Sequence, residues 1–502
     1  MDATATFEKV RKASLPRVIQ GGMGFAVSSY RLASEVSRAG ELGVVSGTGL
    51  DVVLARRLQD GDRSGAIRRA LAAFPVPAMA TRIKDRYFLP EGRAEGAEYA
   101  PIPRLAIQQS ELAQELSVVG NFVEVWLAKE GHDGLIGVNY LEKLQMATPT
   151  AAYGAMLAGV DYVLMGAGIP RNIPSLLNDL AEHKDVAFPI DVVGAAPGAF
   201  TVKLNPKEFL GSAIAKLKRP KFLAIVSAHI LATYLARDEH ARPDGFVVEG
   251  PTAGGHNAPP RGKLVVDETG QPVFGPRDDA DISEVAACGL PFWLAGGRGT
   301  PEGLMDSEAQ GAAGVQVGTV FALCEDSGLH PDIREKLVAE AGDGTLSVRT
   351  DRLASPTGFP FKVAVVDGSQ SDPSVLAARP RLCDIGFLVT AYQVREGKAG
   401  YRCPAEPVKI FESKGGDPEE TAGRVCLCNA LTANVGLPQH REDGYVEKPL
   451  VTLGTDLDGC HRLAKLYPAG WTARQALDWI LGALPSAPVM PAAFSARAAS
   501  LA

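Results

Sequence analysis

Eight short runs rich in β-branched and other apolar residues recur along the chain up to Val317, and most precede a segment with helical periodicity. This alternation predicts parallel β/α units, because a parallel strand needs a crossover before its neighbour. The predicted strands are Arg17–Gln20, Leu42–Ser46, Ile136–Asn139, Tyr162–Met165, Leu223–Val226, Phe246–Glu249, Phe292–Ala295 and Gly314–Val317. Eight such units are the number that closes a (β/α)8 barrel.

The alternation of predicted strands and helices is interrupted in three places, and these interruptions define the predicted domain boundaries. Residues 52–130 and 187–221 interrupt it and are interpreted as insertions in a barrel that spans residues 1–345. Residues 346–485 are richer in Gly, Pro and charge and predict a C-terminal cap or subdomain. Residues 486–502 are small and weakly patterned and predict a flexible tail. The walls of a pocket are expected from both insertions and from the C-terminal region.

The charge balance argues against nucleic acid or an anionic membrane as a partner. The chain carries 51 basic and 58 acidic residues, a formal net charge of −7, and so offers no basic field for nucleic acid or an anionic membrane. The beginning of the sequence has no signal-peptide core, and no apolar run is long enough to span a bilayer. We therefore expect a cytoplasmic protein with a small-molecule substrate, and its seven cysteines do not indicate a disulfide framework.

Glycines follow the last two predicted strands, where barrels of this class bind phosphate. Gly296 and Gly297 end the seventh strand, and Gly318 and Thr319 end the eighth. Glycine lets a phosphate approach the backbone N–H groups, and Thr319 adds a hydroxyl donor. Each motif alone is also typical of an ordinary tight turn, but the two together favour a phosphate site.

The first and sixth predicted strands also end in paired glycines. Gly21 and Gly22 leave room for a flat ring against the main chain, with Met23 packing on its face; an ordinary glycine turn is the alternative. Gly254 and Gly255 precede His256 at the carboxyl-terminal mouth of the barrel. Histidine titrates nearest neutrality, so this imidazole is a candidate to remove a proton from carbon or to stabilise a developing negative charge.

Five motifs in order resemble those of the nitronate monooxygenases, formerly called 2-nitropropane dioxygenases, and of the related flavin-dependent enoyl reductases. They are IQGGM, GVVSGTGLD, EGPTAGGHN, LAGGRG and GVQVGT, and the resemblance covers about residues 14–330. It implies a non-covalently bound flavin mononucleotide (FMN), a cofactor contact at Asn139, and His256 as the catalytic base. For Asn139 a satisfied polar turn residue is the alternative. The implied reaction converts an alkyl nitronate and O2 to a carbonyl compound and nitrite.

Two alternative functions follow from the same resemblance. In the reductase branch, NAD(P)H would reduce an enoyl thioester in polyketide or polyunsaturated fatty-acid synthesis, with an acyl-carrier protein as partner. A non-catalytic flavin-binding subunit is the third alternative. Pro251 and Thr252 stand where the family commonly has an acidic residue.

Two weaker candidates lie outside these motifs. His229 follows the fifth strand, where it would face the site or cap the next helix. Four C-terminal cysteines would be either metal ligands or separate buried thiols; their irregular spacing favours thiols, so no metal is assigned. These cysteines are Cys383, Cys403, Cys426 and Cys428.

Overall fold

A computed structural model describes residues 15–210 and 215–483, and its centre is a closed barrel of eight parallel strands. The barrel strands are β1 (Val18–Gln20), β2 (Leu42–Ser46), β3 (Ile136–Leu141), β4 (Tyr162–Gly166), β7 (Lys221–Val226), β8 (Gly245–Glu249), β9 (Phe292–Ala295) and β10 (Gly314–Val317). They pair in chain order, and β10 closes the barrel on β1 with Val315 opposite Val18. The predicted (β/α)8 barrel and all eight strands are confirmed.

Eighteen α-helices lie in the described part of the chain. They are α1 (Tyr30–Arg38), α2 (Leu50–Gln59), α3 (Ala66–Ala73), α4 (Pro77–Tyr87), α5 (Glu111–Lys129), α6 (Thr148–Leu157), α7 (Ile173–Ala181), α8 (Pro206–Leu210), α9 (His229–Arg237), α10 (Ile282–Ala286), α11 (Pro301–Ala309), α12 (Thr319–Ala322), α13 (Pro331–Asp343), α14 (Pro373–Ala378), α15 (Val408–Ser413), α16 (Leu427–Ala433), α17 (Asp458–Leu466) and α18 (Ala473–Ile480). None of the described helices combines the length and apolarity needed to cross a membrane.

The first β/α unit shows how local sequence produces this architecture. Ser29 begins α1 by accepting a hydrogen bond from the backbone N–H of Leu32, and Leu32 and Val36 share the buried face. The helix then packs directly on β2, where a Cβ on Gly43 would lie only 1.9 Å from the carbonyl oxygen of Ala33. A glycine is therefore required for this close helix-to-strand contact.

The two insertions form different structures. Residues 52–130 contain most of α2 and all of α3, α4 and α5, as the helical pattern predicts. The second insertion forms an antiparallel hairpin of β5 (Val186–Pro189) and β6 (Thr201–Leu204), followed by α8. The hairpin packs on the outside of the barrel through Phe188 and Val202, which share the large core cluster.

The C-terminal region adds two more hairpins, β11 (Val348–Asp351) with β12 (Phe361–Ala364) and β13 (Thr390–Arg395) with β14 (Lys398–Arg402). Its last helices share a hydrophobic cluster with the end of the barrel. Trp471 is fully buried there, and its Nε1 donates to the carbonyl oxygen of Val320 at 3.0 Å. The hydrophobic core is thus continuous between the barrel and the region after residue 345. The predicted tail 486–502 lies outside the described residues.

Candidate active site

One cavity at the carboxyl-terminal end of the barrel brings together every residue predicted for the site. It has an empty volume of about 1580 Å³, including the space at its open mouth. Its lining includes Gly21, Gly22, Met23, Asn139, Gly254, Gly255, His256, Gly296, Gly297, Gly318 and Thr319. Residues from five different strand ends therefore meet in a single space, as the barrel geometry requires.

The end of the cavity beside β9 and β10 is built almost entirely from main chain. Gly296 and Gly297 adopt φ values of +89° and +66°, which side-chain-bearing residues rarely adopt. The hydroxyl of Thr319 accepts a hydrogen bond from the N–H of Gly454 at 2.9 Å, so the C-terminal region closes this end. A Cβ on Gly318 would lie 3.4 Å from Sδ of Met23, which places the Met23 thioether beside this glycine.

The floor of the cavity carries polar side chains on β3 and β10. A Cβ on Gly22 would lie 2.3 Å from Cβ of Asn139, so the glycine allows Asn139 to cross the end of β1. Oε1 of Gln316 is buried with no hydrogen-bond partner among the described residues. An unpaired buried acceptor is costly, and a ligand N–H group or a water would satisfy it. The glycine-lined walls and the unpaired oxygen of Gln316 fit a flat, hydrogen-bonding cofactor such as a flavin.

His256 lies in the cavity wall with one ring nitrogen already engaged. Its Nε2 is 2.7 Å from Oγ of Ser355, and its ring packs edge-on against Phe361 with the centroids 4.9 Å apart. Burial, and secondarily the nearby Lys143 ammonium, lowers the pKa of His256 to about 4. The imidazole is therefore neutral at pH 7.

Glu249 is a cavity residue that the sequence interpretation missed. It ends β8, lines the cavity beside the His256 loop, and has no hydrogen-bond or ion-pair partner among the described residues. Burial raises the pKa of its carboxyl to about 7, so it changes charge near neutral pH. The alternation of side chains along a strand could have predicted this position. Val247 faces the barrel interior, and Glu249, two residues later, lies on the same face.

We expect Glu249→Gln to stabilise the protein at pH 8 and to have little effect at pH 4.5. The folded-state pKa lies above that of an unfolded glutamate, so wild-type stability falls as pH rises from 4.5 through 7. Because solvent in the cavity screens part of this effect, we expect the free energy of unfolding of Glu249→Gln to exceed that of wild type by about 1–2 kcal/mol at pH 8. Urea unfolding at both pH values measures it. The exposed Glu268→Gln is the control, and equal stability of wild type and Glu249→Gln at pH 8 would contradict the assignment.

The roof of the cavity comes from the C-terminal region, and no sequence motif marked these residues. It consists of Phe361, Phe387, Leu388, Leu427, Leu431, Thr452, Leu453, Gly454, Asp456 and Gly459. The expectation that residues 52–130 and 187–221 also supply walls is wrong for the described residues, since none of them lines the cavity. Residues of both insertions instead pack in the large hydrophobic cluster.

The two weaker candidates lie outside the cavity. His229 begins α9, and its Nδ1 accepts from the N–H of Asp281 at 3.2 Å. Cys403, Cys426 and Cys428 pack together in one apolar cluster, and burial raises the pKa of Cys426 to about 11. Within residues 15–210 and 215–483, no three His, Cys, Asp or Glu side chains are grouped to hold a metal ion. All seven cysteines are free thiols.

Comparison with known proteins finds similarity over part of the barrel and the start of the C-terminal region. Residues 199–352 match the family model for nitronate monooxygenase. Two curated relatives are also similar in sequence. The nitronate monooxygenase of Paraburkholderia phytofirmans is 29% identical over 38% of this chain and 49% of its own length. The (3aS,4S,5R,7aS)-5-hydroxy-7a-methyl-1-oxo-octahydro-1H-indene-4-carboxyl-CoA dehydrogenase of Mycobacterium tuberculosis is 32% identical over 32% of this chain and 39% of its own.

Each match spans less than half of the relative concerned. Among solved structures, FabK from Thermotoga maritima aligns with 95% of this chain and 94% of its own at 17% identity and a TM-score of 0.45. The resemblance to the nitronate monooxygenases is confirmed by the family match over residues 199–352 and by these sequence relatives.

Proposed function

We propose that this protein is an FMN-dependent oxidoreductase that oxidises alkyl nitronates, or a related activated carbon acid, with O2. The observation that carries the proposal is the position of His256, a neutral imidazole in the wall of a glycine-lined cavity at the mouth of the barrel. The family match over residues 199–352 supports the same chemistry.

The residues of the cavity divide into those that would hold the cofactor and one that would act on the substrate. Gly296, Gly297 and Gly318 would receive the phosphate, and Gly22 with Asn139 would lie against the ring. Bound FMN supplies the capacity to take electrons from the substrate and pass them to O2. His256 would accept the proton of a substrate that arrives as a neutral carbon acid.

The apolar roof serves the same reaction by limiting water. Phe387, Leu388, Leu427 and Leu431 line the cavity opposite the barrel, and all four come from the C-terminal region. A dry site strengthens each charge interaction made there. A small apolar nitro compound fits such a lining better than a highly polar one.

Purified protein should be yellow and should consume O2 when given alkyl nitronates, releasing nitrite in proportion. The visible spectrum tests the cofactor, and an oxygen electrode with a nitrite assay tests the reaction. Anaerobic titration with NADPH completes the set, since a nitronate oxidase leaves the nicotinamide untouched. A colourless protein that binds no added FMN, or a flavoprotein inactive on every nitronate, would overturn the proposal.

A second function, chemistry at an acyl thioester, is favoured by one relative. The Mycobacterium tuberculosis protein is named as a dehydrogenase of a carboxyl-CoA compound. The corresponding candidate here is an enoyl-thioester reductase that uses NAD(P)H, with an acyl-carrier protein as partner. Rapid NADPH oxidation in the presence of an enoyl thioester, without nitrite release from nitronates, would select this second function.

A further inference from the structure

One ring nitrogen of His256 contacts a serine hydroxyl, which in turn contacts a threonine hydroxyl. Ser355 Oγ lies 2.7 Å from Nε2 of His256 and 2.8 Å from Oγ1 of Thr357. The N–H of Thr357 also donates to Ser355 Oγ at 3.2 Å. Three side chains from two distant segments therefore form one continuous hydrogen-bonded row.

This row leads from the buried cavity towards the surface. Ser355 is fully buried, Thr357 is partly exposed, and the adjacent Gly358 is exposed. The loop is held in place by Arg424, whose guanidinium donates to the carbonyl oxygens of Leu353 and Ser355 at 2.9 and 2.6 Å. The row thus begins at the imidazole and ends at a partly exposed residue.

A base at the position of His256 has to pass its proton on. Burial and the Lys143 ammonium both oppose a charged imidazolium, so a proton accepted by the ring is not held there. Because Nε2 is engaged by Ser355, Nδ1 is the ring nitrogen left for a substrate, and it has no partner among the described residues.

We propose that Ser355 and Thr357 form a proton relay that carries the proton accepted by His256 out to solvent. This inference rests on the proposed function and deepens it, because it assigns two positioning residues to the C-terminal region. In the resting state Nε2 carries the imidazole proton, Ser355 accepts it, and the hydroxyl of Ser355 points to Thr357 Oγ1.

The transfer conserves every proton. The C–H bond of the carbon acid breaks and its proton joins Nδ1, while its electron pair stays on carbon. The Nε2 proton moves to Ser355 Oγ, the former Ser355 proton moves to Thr357 Oγ1, and the Thr357 proton passes to water. The ring ends as the opposite neutral tautomer and never carries a net charge.

Thr357→Val tests the relay, because it removes the acceptor for the Ser355 proton and nearly preserves side-chain shape. The Ser355 hydroxyl should then turn to Nε2 and move the imidazole proton to Nδ1. Two-bond ¹H–¹⁵N spectra of ¹⁵N-histidine-labelled protein report the tautomer directly, and loss of one signal set in His256→Asn assigns the residue. Nε2–H in wild type and Thr357→Ser, with Nδ1–H in Thr357→Val, is the expected result; an unchanged tautomer in Thr357→Val overturns the relay.

The turnover rates of a nitroalkane and of its nitronate provide an independent test of the relay. A nitronate has already lost its proton, whereas the parent nitroalkane has not, so Thr357→Val should lower the nitroalkane-to-nitronate rate ratio by about tenfold or more. Thr357→Ser should restore the ratio, and an equal ratio in all three proteins would contradict the relay. If no nitronate is oxidised at all, the proposed function fails, while the tautomer spectra still decide the relay.

Discussion

Replacing His256 by alanine is expected to lower turnover of a neutral nitroalkane by about 10²- to 10⁴-fold, the range that a positioned acid–base group contributes. The physical reason is that the cavity would lose its neutral imidazole, whose Nδ1 is free to take the proton. Turnover of the preformed nitronate should fall much less, because no carbon-bound proton has to be removed. Steady-state rates with the two forms of one substrate measure the difference.

His229→Ala is the matched control for this experiment. His229 also follows a barrel strand, but it lies at the start of α9 and does not line the cavity. The His229→Ala variant should therefore retain wild-type rates with the nitroalkane and with the nitronate. If His256→Ala kept wild-type nitroalkane turnover while retaining its flavin, the base would have to be another group, and a non-catalytic flavin-binding role would gain support.

Gly318→Val is expected to weaken FMN binding by about 100-fold or more, since it places a branched side chain where a phosphate must approach the main chain. The backbone of Gly318 has φ −107°, which valine tolerates, and a Cβ there would only touch Sδ of Met23 at 3.4 Å. The variant should therefore fold without its cofactor. Fluorescence titration with FMN gives the Kd, and circular dichroism checks the fold.

Gly275→Val serves as the control for Gly318→Val, because a Cβ at Gly275 meets no atom within 4 Å and lies outside the cavity. It should bind FMN like wild type. Retention of full FMN affinity by Gly318→Val would contradict the assignment of this glycine to the phosphate site.

The barrel and the residues of its mouth could be predicted because both depend on local signals. Strands such as Leu42–Ser46 and Phe292–Ala295 are short apolar runs that end in glycine or a polar turn, and parallel topology places their ends side by side. A residue two positions after such a run, such as Gly297 or Thr319, therefore falls in the cavity.

The roof could not be predicted because its residues are defined by contacts between distant segments. Leu427 and Leu431 are ordinary positions on a helical face, and nothing in their spacing distinguishes a cavity wall from a core. Ser355 was missed for the same reason: a serine in a turn becomes informative only when His256, 99 residues earlier, is seen beside it. Glu249 differs, because strand alternation alone would have turned it inward.

The hydrogen bond from Gly454 to Thr319 has a consequence for the order in which the protein matures during synthesis. It joins residues 135 positions apart, so this wall of the cavity is completed only after Gly454 has left the ribosome. Contacts of such long sequence separation form late in folding. A nascent chain that has finished its eight strands at Val317 would still lack this wall of the cavity.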